Sequence, residues 1–370
     1  MSRLSLFRPR SLVVLAWLST AVLVLIAASS AYGRNARPSD PFIPASVANH
    51  GASRPSGTCP PASSSTPATS RPGLAPALSP AELLCRPAAN PAIVPKLFHQ
   101  SWKTTQLPAK FQRWSDSCRE KHPDWEWVLW TDEDNLRLVK EHFPWLLDTY
   151  LNLPGSIYRA DLARNLYMYQ FGGVYADLDT ECLRSTVDGL EDYSILFSNG
   201  VNDTSTGTED GTKIALFGRM GTDQTYEQSI PNAWMAASPG HPFFLRTLEF
   251  AHAELEKSKS FLSNFWHKTP NAEHMTGPIA LRKTIIAYGA SGEEDEIVLL
   301  PGRLVYPYNW KEHREFLAVC SAEQATFDDA VCKEKLEVVK KKSISITYWS
   351  HTHKGQGSDA HNIGLISSDK

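Results

Sequence analysis

Two aspartates two positions apart, Asp177 and Asp179, are the residues of this chain whose spacing most directly suggests chemistry. They end the run Gly-Gly-Val-Tyr-Ala-Asp-Leu-Asp (172–179), in which Tyr175 and both aspartates alternate with apolar residues. A strand has a side-chain period of two, so the alternation predicts both carboxylates on one strand face beside Tyr175. Two carboxylates about 6–7 Å apart repel each other unless a cation lies near them. Mg²⁺ or Mn²⁺ bridging a diphosphate is the natural candidate.

The elements around this pair predict an α/β fold. The helix-like run 157–171 ends at Gly172 and Gly173, which suit a helix C-terminus that requires positive φ. Before it, strand-like runs (93–100 and 124–130) alternate with helix-like runs (108–121 and 135–150). This order predicts a mostly parallel sheet covered by helices, with ligands beyond the carboxyl ends of the strands. Later runs predict helices at 243–257 and 278–288, and strands at 192–198, 297–300 and 343–349.

Other candidate residues each have a functional and a structural interpretation. Asp161 and Arg164 lie three apart and hence on one helix face, either as a local ion pair or as ligands for sugar and diphosphate oxygens. Trp102 follows the first predicted strand and is either a core residue or a base-stacking one. His351 or His353 could offer a neutral nitrogen to a metal, although exposed histidines are usually inert.

The N-terminus predicts a membrane anchor. Three arginines within residues 1–10 precede an uncharged run, 11–33, that is long enough to span a bilayer. We therefore expect a cytosolic tail (1–10) and a signal-anchor transmembrane helix (11–33); a cleaved signal peptide is the competing interpretation. Residues 34–92 are rich in Pro, Ser and Ala and predict a disordered stem, which leaves 93–370 as a lumenal domain.

The remaining composition agrees with a secretory location. Asn202-Asp203-Thr204 is an acceptor sequon, and six cysteines could pair in an oxidising compartment. Cys320 with Cys332 is the favoured pair because the loop between them is short, but the connectivity stays open. We expect a single-pass type II protein of the Golgi membrane, with the endoplasmic reticulum as an alternative. A net charge of −3 gives no basic surface for nucleic acid.

Three segments resemble glycosyltransferase family 32, the group that contains a DXD motif. They are Ile-Val-Pro-Lys-Leu-Phe-His-Gln-Ser-Trp-Lys (93–103), Arg-Ala-Asp-Leu-Ala-Arg (159–164) and the run 172–179. The family holds fungal initiation-specific α-1,6-mannosyltransferases and mannosyl-inositol-phosphoceramide synthases. The resemblance implies a GT-A fold, which is Rossmann-like, together with a nucleotide-sugar donor, a divalent cation (Mn²⁺ or Mg²⁺) and retention of anomeric configuration.

The resemblance also implies roles for individual residues. Trp102 would stack on the base, Asp161 and Arg164 would bind donor sugar and phosphates, and Tyr175 and Asp177 would contact the donor. Asp179 would ligate the metal with Asp177, and Asn232 would lie near the transferred sugar. The family often ends its core in a histidine followed within a few residues by Ser-Trp. This chain has no Ser-Trp there, so which of His351 and His353 takes the histidine position stays open.

These features predict a metal-dependent retaining transferase that moves mannose from GDP-mannose to a glycan or glycolipid acceptor, with galactose and glucose donors still open. The ceramide enzymes of the family commonly carry a further apolar segment after the catalytic domain, whereas this sequence ends in Ile363-Gly364-Leu365-Ile366 and a polar tail. This difference favours a glycan or small acceptor over inositol-phosphoceramide. One alternative is a catalytically silent sugar-binding protein or scaffold of the same fold. The other is a phosphohydrolase of the haloacid-dehalogenase type, which is disfavoured because Glu181 occupies the place where that motif needs Thr or Val.

Overall fold

The computed structural model describes residues 42–45, 47, 73–86, 93–198, 212–259, 270–292 and 295–350. The chain divides into two units, Met1–Pro44 and Ala45–Lys370, and all that follows concerns the second. The predicted anchor, the Asn202 sequon, His351 and His353 lie outside the described residues. Within the described ranges, no helix is both long and apolar enough to cross a membrane.

A six-stranded sheet with the order β2-β1-β3-β6-β5-β7 forms the centre of the described fold. Its strands are β1 (Leu97–Ser101), β2 (Glu126–Trp130), β3 (Gly173–Ala176), β5 (Ile214–Gly218), β6 (Trp234–Ala237) and β7 (Glu296–Leu300). The pairs β1–β2, β1–β3 and β5–β7 are parallel, whereas β6 is antiparallel to both β3 and β5. Among these six, β6 alone therefore runs against the others, and the predicted mostly parallel sheet is confirmed.

A second, two-stranded sheet pairs β4 (Thr180–Cys182) with β8 (Ser345–Thr347) in antiparallel fashion. The α-helices in chain order are α1 (Pro80–Leu84), α2 (Ala109–Lys121), α3 (Asp132–His142), α4 (Leu147–Asn152), α5 (Ser156–Phe171), α6 (Thr186–Gly189), α7 (Phe243–Lys259), α8 (Ala272–Met275), α9 (Pro278–Ala290), α10 (Gly302–Val305), α11 (Leu317–Cys320) and α12 (Asp329–Lys335). Of these, α7 packs on both α5 and α9.

The junction between α5 and β3 depends on its two glycines. Gly172 has φ +66° and Gly173 has φ +90°, the positive range that the sequence predicted for a helix end. A Cβ on Gly173 would lie 2.4 Å from the Leu97 carbonyl oxygen of β1. The neighbouring strand therefore approaches β3 too closely for any side chain at this position, and the register that places Asp177 at the sheet edge depends on glycine here.

Predictions about two segments are wrong. The stem does not extend unbroken to residue 92, because residues 76–78 run beside β2: the Leu78 amide donates to the Trp127 carbonyl, and the Trp127 amide donates to the Pro76 carbonyl. Helix α1 then begins at a Ser79–Glu82 capping box. Residues 192–198 form a 3-10 turn (Glu191–Tyr193) and a single bridge rather than a strand. Strands β5 and β6 were not predicted.

Among the described residues, two disulfides join elements of the body. Cys320–Cys332 confirms the favoured pair. Cys118–Cys182, which was not predicted, ties α2 to β4 across 64 positions of sequence. Cys182 lies three residues after Asp179, so this bond anchors the strand that leaves the aspartate pair.

Candidate active site

Asp177 and Asp179 lie in a turn between β3 and β4, just beyond the carboxyl end of β3. The Thr180 amide donates to the Asp177 carbonyl at 3.0 Å and closes this turn. The prediction that both carboxylates share one strand face is therefore wrong, because the pleat ends at Ala176. The turn gives the two carboxylates separate environments, one facing α5 and the other facing the end of β8.

Asp177 is held by two side chains. The Tyr175 hydroxyl donates to Asp177 Oδ1 at 2.6 Å, and Arg164 Nη1 lies 3.2 Å from the same oxygen. The Arg164 guanidinium also lies 4.8 Å from the Tyr175 ring centroid. Burial raises the pKa of Tyr175 well above its usual value, so the phenol stays protonated and acts as a donor to the carboxylate.

Arg164 links Asp177 to Asp161 and Asn232. Its Nη2 lies 3.1 Å from Asp161 Oδ1, and its Nη1 donates to the Asn232 carbonyl at 2.8 Å. The Asn232 amide donates in turn to Asp161 Oδ1 at 2.9 Å. Burial by itself would lower the pKa of Arg164, but the negative charge of Asp177 and the neighbouring Tyr175 and Asp161 hold it above the ordinary value. The structure thus contains the ion pair between Asp161 and Arg164 that the sequence offered as one interpretation, and their role as ligands for sugar and diphosphate oxygens stays a prediction.

Asn232 reaches this cluster because β6 is antiparallel. The amino end of β6 lies at the sheet edge where β1, β2 and β3 have their carboxyl ends, with Trp234 opposite Ala176. The Asp177 amide donates to the Ala233 carbonyl at 2.8 Å, and the Tyr306 hydroxyl donates to the carbonyls of Pro231 and Trp234. The main-chain hydrogen bond from Asp177 to Ala233 therefore joins the segment before β6 to the aspartate turn, and the Tyr306 hydroxyl holds the same segment.

Asp179 is held from the other side by Ser350. The Ser350 amide and hydroxyl both donate to Asp179 Oδ2, at 2.8 Å and 3.0 Å. The Tyr348 amide donates to the Asp179 carbonyl at 3.0 Å. Ser350 was not among the predicted site residues. Its position directly after the last predicted strand was the one feature of the sequence that could have indicated a role at the site.

Trp102 follows β1 at the same edge of the sheet, as predicted. Its amide donates to the Trp130 carbonyl at 2.9 Å, and its ring meets Phe111 edge-on with centroids 5.1 Å apart. The half-buried ring packs against an apolar cluster that also contains Leu178. Trp102 thus reaches the neighbourhood of the aspartate turn, while its stacking on a base stays a prediction.

His99 stabilises the junction between α5 and β3, which leads into the aspartate turn. Its Nδ1 accepts from Trp130 Nε1 at 3.0 Å, which leaves Nε2 to donate to the Gly172 carbonyl at 2.9 Å. Burial lowers the pKa of His99 to about 4, so the ring is neutral at physiological pH. This neutral tautomer joins β1 to the glycine pair that begins β3.

The donor set fits a hard divalent cation. Asp161 and Asp177 both lie against the guanidinium of Arg164, and Asp179 lies on the other side of the same turn. The Asp177 side chain is 31% exposed, which leaves it accessible from solvent. In the described part of the chain, no group of three or more His, Cys, Asp or Glu side chains is arranged for a metal. Two carboxylates completed by water and substrate phosphates are an ordinary Mg²⁺-type arrangement.

Comparison with known proteins agrees with this geometry. Residues 108–197 match a family described as "Glycosyltransferase sugar-binding region containing DXD motif". The predicted family resemblance is confirmed. The matched residues include the aspartate turn, Asp161, Arg164 and Tyr175, but neither Trp102 nor Asn232.

The similar curated proteins include fungal mannosyltransferases. "Inositol phosphoceramide mannosyltransferase 3" of Schizosaccharomyces pombe is 32% identical over 190 residues, which are 51% of this chain and 44% of the relative. "Initiation-specific alpha-1,6-mannosyltransferase" of Candida albicans is 29% identical over 109 residues, 28% of each chain. The chain thus spans under half the length of these curated relatives. The solved structure "PaToxG Glycosyltransferase" aligns with a TM-score of 0.34 at 13% identity, over 74% of this chain and 85% of its own, which is too distant to carry a conclusion.

Proposed function

We propose that this protein is a metal-dependent retaining glycosyltransferase of the GT-A type that moves mannose from GDP-mannose to a glycolipid or glycan acceptor. The observation that carries the proposal is the joining of Asp177 to Asp161, Arg164, Tyr175 and Asn232 in one cluster at the carboxyl edge of the sheet. A buried carboxylate and amide, Asp161 and Asn232, beside the partly exposed carboxylate of Asp177 suit a site that holds sugar hydroxyls on one side and phosphates on the other.

Each residue of the cluster has a role in this proposal. Asp177 and Asp179 would hold Mn²⁺ or Mg²⁺, which when bound neutralises charge on the leaving diphosphate. Arg164 fixes Asp161 and Asp177 at the same time, so that both carboxylates are in place before the donor arrives. Asp161 would accept hydrogen bonds from hydroxyls of the transferred sugar, and the Asn232 amide would donate to them. Trp102 would stack on the base.

The proposed retention places one requirement on the acceptor. The acceptor hydroxyl must attack the anomeric carbon on the face that the diphosphate leaves. We assign no carboxylate of this chain as a covalent nucleophile. Asp161 is held by Arg164 and by the Asn232 amide, an arrangement that suits binding a hydroxyl rather than attacking a carbon.

The relatives bear on the choice of acceptor. The sequence favoured a glycan or small acceptor, but the relative named as an inositol phosphoceramide mannosyltransferase supports an inositol-phosphate sphingolipid as the first acceptor to test. An N-glycan is the second acceptor, supported by the relative named as an initiation-specific mannosyltransferase. The donor stays GDP-mannose in both cases.

The proposed location is the Golgi membrane, with residues 11–33 as the anchor and the body in the lumen. The two disulfides support an oxidising compartment, because such bonds are rare in reducing ones.

The test is to incubate the chain with Mn²⁺ and a panel of GDP, UDP and ADP sugars, and to measure released nucleotide with and without each acceptor. We expect GDP release from GDP-mannose, stimulated by the correct acceptor and abolished by chelator. No release with any donor, from protein whose fold is intact, would instead support the silent sugar-binding alternative.

A further inference from the structure

The strongest feature that the proposed function leaves unexplained is the contact between Ser350 and Asp179. Ser350 is buried and directs both of its donors, amide and hydroxyl, at the same carboxylate oxygen, Oδ2. Two donors from fixed positions hold this one oxygen, so the Asp179 carboxylate cannot rotate freely about its Cβ–Cγ bond.

The backbone before Ser350 is shaped to make this contact. Trp349 has φ +48°, a left-handed conformation that is strained for a residue other than glycine. Its indole Nε1 donates to the Tyr308 carbonyl at 3.2 Å. Its ring lies 5.5 Å from that of Tyr306 and 4.7 Å from that of Trp310, centroid to centroid. These contacts hold the strained turn, and the strained turn directs Ser350 back toward Asp179.

The strand behind this turn is equally well fixed. On the paired strands β4 and β8, the Thr180 and Thr347 hydroxyls are 2.9 Å apart, and the Tyr348 hydroxyl donates to Glu181. Glu181 also lies 2.6 Å from Lys333 Nζ on α12. The residues on either side of the Asp179–Ser350 contact are therefore held in register by side chains that do not touch the aspartates.

We propose that Ser350 is a positioning residue that orients the Asp179 carboxylate for the divalent cation, with Trp349 supplying the turn that places it. This inference depends on the metal role of Asp179 in the proposed function. Groups that orient a metal ligand typically change metal affinity or activity by about 10–100-fold when they are removed. Because the Ser350 amide remains in any substitution, we expect the lower end of that range from loss of the hydroxyl.

The opposing interpretation is that Ser350 only closes the end of β8. A matched control for this is Ser345, a buried serine of β8 whose hydroxyl donates to the Val305 carbonyl at 2.9 Å, away from the aspartates. Loss of either hydroxyl removes one hydrogen bond of a buried serine and should lower stability by a similar amount at the two positions. A purely structural role therefore predicts the same result for both positions.

The experiment compares the wild type with Ser350→Ala, Ser350→Thr and Ser345→Ala. Mn²⁺ binding is measured by electron paramagnetic resonance of the free ion, with and without GDP. The Mn²⁺ concentration that gives half-maximal nucleotide release is measured in parallel. We expect Ser350→Ala to weaken Mn²⁺ binding about 10-fold, Ser350→Thr to restore most of it by keeping the donor, and Ser345→Ala to lose stability alone.

Several outcomes would overturn the inference. These are Mn²⁺ binding by Ser350→Ala within twofold of the wild type, equal weakening in Ser345→Ala, or no Mn²⁺ binding by the wild type. Mn²⁺ binding by a wild type that releases no nucleotide would overturn the proposed function instead, and the binding comparison would still decide the role of Ser350.

Discussion

Arg164 is the residue on which the candidate site most depends, and replacing it gives a prediction with a defined magnitude. The guanidinium uses two different nitrogens, Nη2 for Asp161 and Nη1 for Asp177 and the Asn232 carbonyl. A lysine keeps the charge but has one nitrogen, so Arg164→Lys can serve only part of this set. The loss of one charge-assisted hydrogen bond predicts destabilisation of about 1.5–3 kcal/mol.

Arg164→Met keeps the volume and removes the charge. The side chains of Asp161 and Asp177 are 7% and 31% exposed, so water can compensate at the second carboxylate but hardly at the first. Removal of one partner from a buried ion pair costs about 3–5 kcal/mol, and we expect a value near 3 because Asp177 is partly solvated. Adding Asp161→Asn to Arg164→Met removes the buried carboxylate and should recover 1 kcal/mol or more, about the size of coupling expected within one network.

The measurement is urea unfolding of the four chains of this cycle, followed by tryptophan fluorescence. Two results together would contradict this prediction. They are a loss of less than about 1 kcal/mol in the free energy of unfolding of Arg164→Met, and losses for the two single variants that add to that of the double variant within about 0.5 kcal/mol, the range for independent sites. That result would mean that the cluster is solvated and only weakly coupled.

Three further predictions follow from the fold. Replacing Cys118 and Cys182 with Ala should cost about 4 kcal/mol, against about 3 for Cys320 and Cys332, because the closed loop is longer (64 positions against 12); non-reducing urea unfolding checks the order, and the reverse order would contradict it. Gly173→Ala should destabilise by at least about 1–3 kcal/mol from positive φ alone, with the contact to the Leu97 carbonyl added, and an unchanged melting temperature would count against the β1–β3 register. His99 and His122 both have a pKa lowered to about 4 by burial, so the unfolded chain takes up protons that the folded chain does not between pH 6.5 and 4. The contribution of these two histidines to the free energy of unfolding should be complete above pH 6.5. It should fall by up to about 1.4 kcal/mol per pH unit for each histidine as the pH drops toward 4. A free energy of unfolding that does not change over this range would contradict the prediction.

The sequence predicted the first half of the fold because its local signals and its tertiary structure agree. The helix-like run before Gly172, the two glycines and the strand that begins after them are all present, although the strand ends at Ala176, before the aspartates. Trp102 lies at the sheet edge as expected, since the carboxyl ends of neighbouring parallel strands meet there.

The remainder depends on contacts between distant parts of the chain. Strand β6 reads Trp-Met-Ala-Ala and is buried on both faces, so it lacks the alternation that marks a strand. The turn at Asp177 is closed by main-chain hydrogen bonds to Ala233 and from Thr180, which no side-chain pattern reveals. Ser350 meets Asp179 across 171 positions of sequence, and only the pairing of β4 with β8 brings them together.

The central claim is that the Asp177–Asp179 turn holds the divalent cation on which sugar transfer depends. The most direct measurement is Mn²⁺-dependent release of GDP from GDP-mannose by wild type and by Asp179→Asn, an isosteric change that keeps an oxygen for Ser350. We predict that Asp179→Asn melts within a few degrees of the wild type yet loses at least about 100-fold in rate, since metal stabilisation of the leaving charge is worth several kcal/mol. A folded Asp179→Asn variant that keeps its Mn²⁺-dependent rate within about threefold, or 0.65 kcal/mol, would contradict the claim.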